Sequence, residues 1–349
     1  MHPTSSAQFD ASRSGAVPGP EQVRHDVWAV AQRMPGGHLP YSLLYLLRDY
    51  DRAFHVVDPG WDSDGNWDAL TAVLTSLDAS PADVRSITAT HLHPDHIGLA
   101  DRLRRASGAP LQLHETEAAA IGSPFVTPQA ADAVERLVET WGVPTERRRE
   151  LVFVTDQASR FVSPRVDRTL VDGERLDIPG FDLRALLTPG HTSGHLCLRE
   201  DARTLLFTGD HVLPMMHAGL GLGAPTATNP LADYLWSLQR VSVYPDHEVL
   251  PGHGYRFHGV AERAAASAEH HLRRSREVAR VLADAPDSTN WEIAARLTWT
   301  AGWRNLTDFF LYSALAQTAM HRNYLERIGL ALDRPKPEQR GRPSGVERN

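Results

Sequence analysis

The densest run of chemically capable side chains in this sequence is Thr88-Ala-Thr-His91-Leu-His93-Pro-Asp95-His96-Ile-Gly98. His91, His93, Asp95 and His96 fall within one short stretch, and imidazoles and carboxylates are good ligands for divalent metals. The preceding Val84-Arg-Ser-Ile-Thr is β-branched and follows Pro81 and Asp83, so it reads as a strand. Residues 97–106 read as a helix, with Pro94 near the first turn, where its missing N–H breaks no bond. The cluster therefore occupies a strand-to-helix loop. His91 and His93 are two apart and project to one side if extended geometry persists beyond the strand. Asp95 and His96 lie at the turn and can face a second point. That layout suits two adjacent ions better than one. Two ions about 3.5–4 Å apart can share a hydroxide, bring the pKa of bound water near neutrality and rest a carbonyl or phosphoryl oxygen on their open face. Asp95 can orient that hydroxide or receive its proton while also serving as a ligand. A lone histidine is usually a packing or surface residue; four such groups in one loop are not explained that way.

Partners for the cluster lie downstream. Thr188-Pro-Gly190-His191-Thr-Ser-Gly194-His195 follows the apolar run Phe181-Asp-Leu-Arg-Ala-Leu-Leu. Leu205-Leu-Phe-Thr-Gly209-Asp210-His211 and Val249-Leu-Pro-Gly252-His253-Gly254 repeat the pattern of an apolar strand, a glycine and a ligand. These four segments, in this order, resemble the metallo-β-lactamase fold hydrolase superfamily, in its bridging-aspartate branch, over roughly residues 25–259. The resemblance implies an α/β fold, a four-layer αββα sandwich, with a small helical C-terminal subdomain. It also implies that His91, His93 and His191 hold a first metal, that Asp95, His96 and His253 hold a second, and that Asp210 bridges both. His195 is expected in a supporting role behind the ligands, and His211 beside them. The turn Asp58-Pro-Gly60 resembles the early Asp-x-Gly turn of the superfamily, which makes Asp58 a support under the metal loop. Zinc is the default for so histidine-rich a set, with iron or manganese as alternatives.

The same resemblance bounds the reaction. The lactamases of the superfamily that act on antibiotics lack a bridging aspartate or place a cysteine near it, so Asp210 argues against a β-lactam substrate. Similar proteins with the full ligand set hydrolyse thioesters, as in the glyoxalase II type, or lactones, or RNA phosphodiesters. The expected function is metal-dependent hydrolysis of an ester, thioester or lactone of a small molecule; the alternative is a metal-dependent endoribonuclease or phosphodiesterase. A single-iron redox variant is disfavoured by the intact second set ending in His253. A metal-binding protein without hydrolytic activity would require the complete set to be accidental.

The rest of the chain must position these groups. Its 349 residues, 42% hydrophobic, are enough for one large domain with an appendage. A net charge of −7 gives no general attraction to nucleic acid or anionic membrane. The lone cysteine, Cys197, excludes an intrachain disulfide and reads as a small core residue. Residues 1–24 are polar, lack an apolar signal core and are expected to be a flexible tail, with the protein cytoplasmic. Short apolar runs at 27–31, 42–47 and 53–57 read as strands, and 67–77 has helical spacing. Residues 115–165 read as a cap insertion over the site, with a helix at 131–141 and an arginine run at 146–150 that is usually a solvated face. The Gly-rich segment after Asp210 is expected to line the substrate pocket with Met215, Met216 and His217. Residues 260–332 read as three helices resembling a winged-helix-like tail: a cap, a homodimer contact or a nucleic-acid platform using arginines such as Arg263 and Arg274. Residues 333–349 read as a disordered tail. No segment approaches a membrane span. The acidic net charge, the apolar Met215-Met216 wall and the absence of a large nuclease insertion favour a small-molecule substrate as the partner.

Overall fold

The computed structural model describes residues 1–36, 39–121, 129–152 and 164–328. Two sheets face each other. One has seven strands in the order β2-β3-β4-β5-β6-β7-β8: Glu21–Arg24, Val27–Arg33, Tyr41–Arg48, Phe54–Val57, Val84–Thr88, Leu111–His114 and Arg168–Leu170. The other has six, in the order β1-β13-β12-β11-β10-β9: His2–Pro3, Phe257–His258, Glu248–Pro251, Leu205–Gly209, Leu196–Glu200 and Leu183–Leu187.

Strand β4 shows why the sequence takes this form. All but its last residue are buried. Leu43, Tyr45 and Leu47 join the core between the sheets, against Leu198, Leu205 and Phe207 of the other sheet. Leu44 and Leu46 turn the opposite way, toward Leu70, Val73 and Leu74 of helix α2 (Asp64–Ser76). A strand buried on both faces reads as a continuous apolar run, and an alternating pattern is lost. The outer face of the second sheet is covered likewise: Cys197, Leu206 and Val249 pack with Leu231, Tyr234 and Leu238 of a helix at Pro230–Ser242. Helix, sheet, sheet, helix is the expected αββα order.

Three expectations are revised. Residues 1–24 are not a free tail: β1 pairs with β13, and helix α1 (Ser6–Ser14) is capped by Ser5 and Gly15. Buried Gln8 accepts the Arg256 N–H at 3.0 Å, and Phe9 meets Tyr255 edge-on at 5.1 Å. A boundary at residue 260 cuts through a shared core, because Val260 and Ala264 of the helix Val260–Asp284 belong to the apolar cluster on the second sheet. The region beyond is helical, with Asn290–Arg296 and Asp308–Arg327, and holds no strand, and so no wing, among the described residues. The described parts of the segment expected to be a cap pack against it: Val138, Trp141, Val143 and Leu151 share a cluster with Leu306, Leu311 and Leu315. Residues 122–128 and 153–163 of that cap, and the tail 333–349, lie outside the described residues. No helix of the described residues is long and apolar enough to cross a membrane.

Two measurements test this packing. Gln8→Ala leaves the buried Arg256 amide without its acceptor and should lower the unfolding free energy by about 1–3 kcal/mol; an unchanged urea midpoint would mean that the N-terminal helix is not docked. Burial pushes the Cys197 thiol up to about 12. Only the thiolate reacts, so a maleimide at pH 8 should label the protein after denaturation and not before.

Candidate metal centre

The chemistry-bearing side chains meet where strands of both sheets end. His91 and His93 follow β6, Asp95 and His96 sit on the short helix Pro94–Ile97, His191 lies in the turn between β9 and β10, Asp210 follows β11 and His253 follows β12. Three groups of ligand atoms converge: His91, His93 and His191; Asp95, His96 and His253; and His91, His96 and Asp210. In the first, His93 Nδ1 is 2.9 Å from His91 Nε2 and 3.1 Å from His191 Nε2. In the second, His253 Nε2 is 3.2 Å from Asp95 Oδ2, and His96 Nε2 is 3.7 Å from the same oxygen. Asp210 reaches both: Oδ1 lies 3.3 Å from His96 Nε2 and 3.4 Å from His253 Nε2, while Oδ2 lies 3.6 Å from His191 Nε2. Donors around one tetrahedral ion with bonds near 2.0–2.1 Å are about 3.3 Å apart. The separations fit that spacing.

Each imidazole is aimed by its far nitrogen. His96 Nδ1 bonds Asp58 Oδ2 at 2.9 Å, His91 Nδ1 meets Thr90 Oγ1 at 3.0 Å, and His253 Nδ1 bonds the Tyr41 carbonyl at 2.9 Å. His191 Nδ1 bonds the Gly219 carbonyl at 2.7 Å, and His93 Nε2 bonds that of Leu222 at 2.9 Å. A partner on one nitrogen leaves the other free, with its lone pair inward, which is how ligating histidines are held. His96 Nε2, His253 Nε2 and Asp210 Oδ1 are buried without a hydrogen-bond partner. Such orphaned atoms are rare unless something outside the chain satisfies them, and this donor set suits a divalent cation. Gly252 keeps the space open: a Cβ there would come within 2.6 Å of Asp210 Oδ1 and of His96 Cε1.

The electrostatics divide the cluster. Burial, helped by neighbouring imidazoles, holds His91 well below its usual range and brings His191 down to about 4, so both offer neutral nitrogens. Burial acts the same way on His96 and His253, but the carboxylates outweigh it. Asp210, Asp95 and Asp58 keep His96 well above its usual value, and Asp210 and Asp95 bring His253 to about 10. Burial also opposes ionisation of Asp210, and His253 and His96 overcome it and hold that carboxyl well below its usual range.

The supporting residues fall into place individually. Asp58, buried at a φ of 52°, accepts from the Thr90 N–H at 2.7 Å and the Thr90 hydroxyl at 2.9 Å besides engaging His96. His195 Nε2 accepts the Asp210 N–H at 3.2 Å, so it braces the carboxylate from behind. His211 packs on Tyr234, with ring centroids 5.0 Å apart, and joins none of the ligand groups. Met215 and Met216 line a cavity of about 120 Å³ beside His253, with Leu39, Tyr41 and Pro214. His217 is not part of that wall: it bonds Ser267 at 3.2 Å and stacks on His270 at 3.9 Å. Glu117 was not singled out from the sequence. It is fully buried, and its two oxygens accept the Leu92 and Gly194 amides. Beside Glu115 at a helix start it looks like an ordinary first-turn acid favoured by the helix dipole.

Comparison with known proteins agrees with this geometry. The sequence profile of the Metallo-beta-lactamase superfamily matches residues 40–253. The chain is similar to the crystal structure of a metallo-beta-lactamase family protein from Thermus thermophilus, with 30% identity and a TM-score of 0.72 over 88% of this chain and 95% of that one. It is 27% identical to the hydroxyacylglutathione hydrolase GloC of Haemophilus influenzae over 60% of this chain and 84% of that protein. It is 30% identical to a Beta-lactamase-like protein 2 homolog of Caenorhabditis elegans over 38% of this chain, a match that spans 42% of the relative's length. A profile match over most of the chain, on a fold whose strand ends bring the matching histidines and aspartates together, places this protein in the metallo-beta-lactamase superfamily.

Proposed function

We propose that this protein is a dinuclear metal-dependent hydrolase that cleaves an ester, thioester or lactone of a small molecule with an apolar acyl part. His91, His93 and His191 would hold one ion, Asp95, His96 and His253 the other, and Asp210 would bridge them, with zinc as the ion the donor set favours. When bound, such ions supply an acidified water as nucleophile and a Lewis-acidic face for the scissile oxygen. The chain's own residues do the rest. Asp95 keeps 14% of its side chain exposed, so it can orient a water molecule or accept its proton. His195, through the Asp210 amide, and Asp58, through His96, hold the ligands still.

The observation that carries the substrate class is the apolar cavity beside His253. Leu39, Pro214, Met215 and Met216 offer nothing to a phosphate backbone and a good surface to an acyl chain, and methionines adapt to its shape. The RNA alternative relies on Arg263, Arg273, Arg274, Arg276 and Arg280 of the first C-terminal helix; Arg273 and Arg280 are exposed and reach only His270 and the Arg276 carbonyl, but the other three are committed within the chain. Arg263 donates to the Leu213 and Met216 carbonyls, Arg274 to Glu277 and the Thr298 carbonyl, and Arg276 to Glu269. Similarity to a hydroxyacylglutathione hydrolase also supports an acyl substrate.

Initial rates on the metal-loaded protein decide between the readings. One arm uses a small acyl thioester and a lactone, the other a short single-stranded RNA at two salt concentrations, each with a chelator control. Chelator-sensitive turnover of the small esters is expected; chelator-sensitive RNA cleavage that fades with salt would overturn the proposal. Asp210→Ala should stay folded while losing one ion and most activity. Near-normal turnover with full metal content would sink the dinuclear reading. Met215→Ala should raise KM for a medium-chain acyl substrate by about tenfold with a smaller change in kcat; an equal KM for short and medium chains in both proteins would remove the cavity from the substrate site.

A further inference from the structure

The ligands of the first group lie on two loops from different sheets. His91 and His93 flank Leu92 in the loop after β6, and His191 opens the turn that ends at Gly194 and His195. Besides the 3.1 Å approach of His93 to His191, one buried side chain ties the backbones of these loops together. Glu117, with no exposed surface, accepts the Leu92 N–H through Oε2 at 3.0 Å and the Gly194 N–H through Oε1 at 2.7 Å. The fit is close: a Cβ on Gly194 would lie 2.9 Å from Glu117 Cγ and 2.9 Å from His114 Nδ1. Glu117 is itself anchored. It lies on the short helix Glu115–Ala120, whose start is capped by His114 Nδ1, which accepts the Thr116 N–H at 3.2 Å. His114 ends β7, so the clamp is built out from the sheet.

We propose that Glu117 is a positioning residue that pre-assembles the His91, His93 and His191 group before any ion arrives, and does so without reaching the Asp95, His96 and His253 group. The proposal rests on the ligand reading above. An ionised carboxylate is an acceptor through both oxygens, so it can take one amide from each loop at once. An amide side chain cannot: one end would set its own N–H groups against a backbone N–H. The second group is aimed by other atoms, Asp58 behind His96 and the Tyr41 carbonyl behind His253, and Glu117 bonds neither. Disturbing Glu117 should therefore loosen one ion and leave the other.

The test is metal titration of the full metal-free chain with Co²⁺, followed by visible absorption, and with Zn²⁺ against a chromophoric chelator. His93→Ala and His253→Ala assign the two binding steps to the two groups. Glu117→Gln should weaken the step assigned by His93→Ala by about 10–100-fold, the usual scale for a residue behind the ligands, and leave the step assigned by His253→Ala in place. Equal weakening of both steps, or of neither, would overturn the clamp. A wild-type protein that binds fewer than two ions, or whose steps ignore both histidine variants, would overturn the ligand reading instead. Should Glu117→Gln fail to fold, amide exchange of the metal-free wild type gives the answer. Protected Leu92 and Gly194 amides support pre-assembly, and fast exchange of both until metal is added refutes it.

Discussion

The structure depends on keeping buried imidazole nitrogens and carboxylate oxygens a few ångströms apart and facing one another. His91 and His96 have no exposed surface, and His253 keeps only 2%. Ionisable groups so placed are costly unless each has a partner. The chain supplies a partner on the outer side of every ring and none on the inner side. Two of those partners, the carbonyls of Gly219 and Leu222, come from the Gly-rich segment after Asp210. That segment does more than line the cavity beside His253: its backbone fixes the direction of His191 and His93.

The double sheet makes this possible by bringing strand ends from two halves to one edge. The two halves are tied directly at that edge. The Leu43 N–H donates to the Gly252 carbonyl at 2.7 Å, and the Tyr45 hydroxyl donates to the Pro251 carbonyl at 2.8 Å. His253, a residue of the second sheet's edge, is thus aimed by Tyr41, the first residue of a strand in the other sheet. A shift of one sheet against the other would move His253 away from His96, so the packing of Tyr45 on Phe207 between the sheets, at 5.2 Å, bears on the geometry of the site.

The histidines and aspartates that converge at the site were legible in the sequence because their signal is local. His91 to His96 are crowded into one loop, and His191, Asp210 and His253 each follow an apolar strand and a glycine. Asp58 was legible for the same reason, as an acid in a turn that ends a strand. What could not be read depends on tertiary contact. Glu117 acts through two amides, one 25 residues before it and one 77 after. Residues 1–24 are polar and looked like a tail; they are held by long-range bonds such as Gln8 to Arg256 and Thr4 to Glu248. His217 sits in the same loop as Met215 and Met216, but its ring is claimed by Ser267 and His270 on a helix about fifty residues on.

The C-terminal helices are bound to the site through that same loop. Arg263, one turn into the helix Val260–Asp284, spans the carbonyls of Leu213 and Met216, while Ser267, one turn further, holds His217. Together they grip the loop on both sides of Met215 and Met216 and leave those two side chains partly exposed toward the cavity. A helix that commits its guanidinium to loop carbonyls has fewer free donors to offer a phosphate backbone at that point, since each donor satisfied within the chain is one fewer for a polyanion. The geometry is that of a brace for the apolar cavity wall at Met215 and Met216, and it explains why a boundary drawn at residue 260 divides a single packed unit.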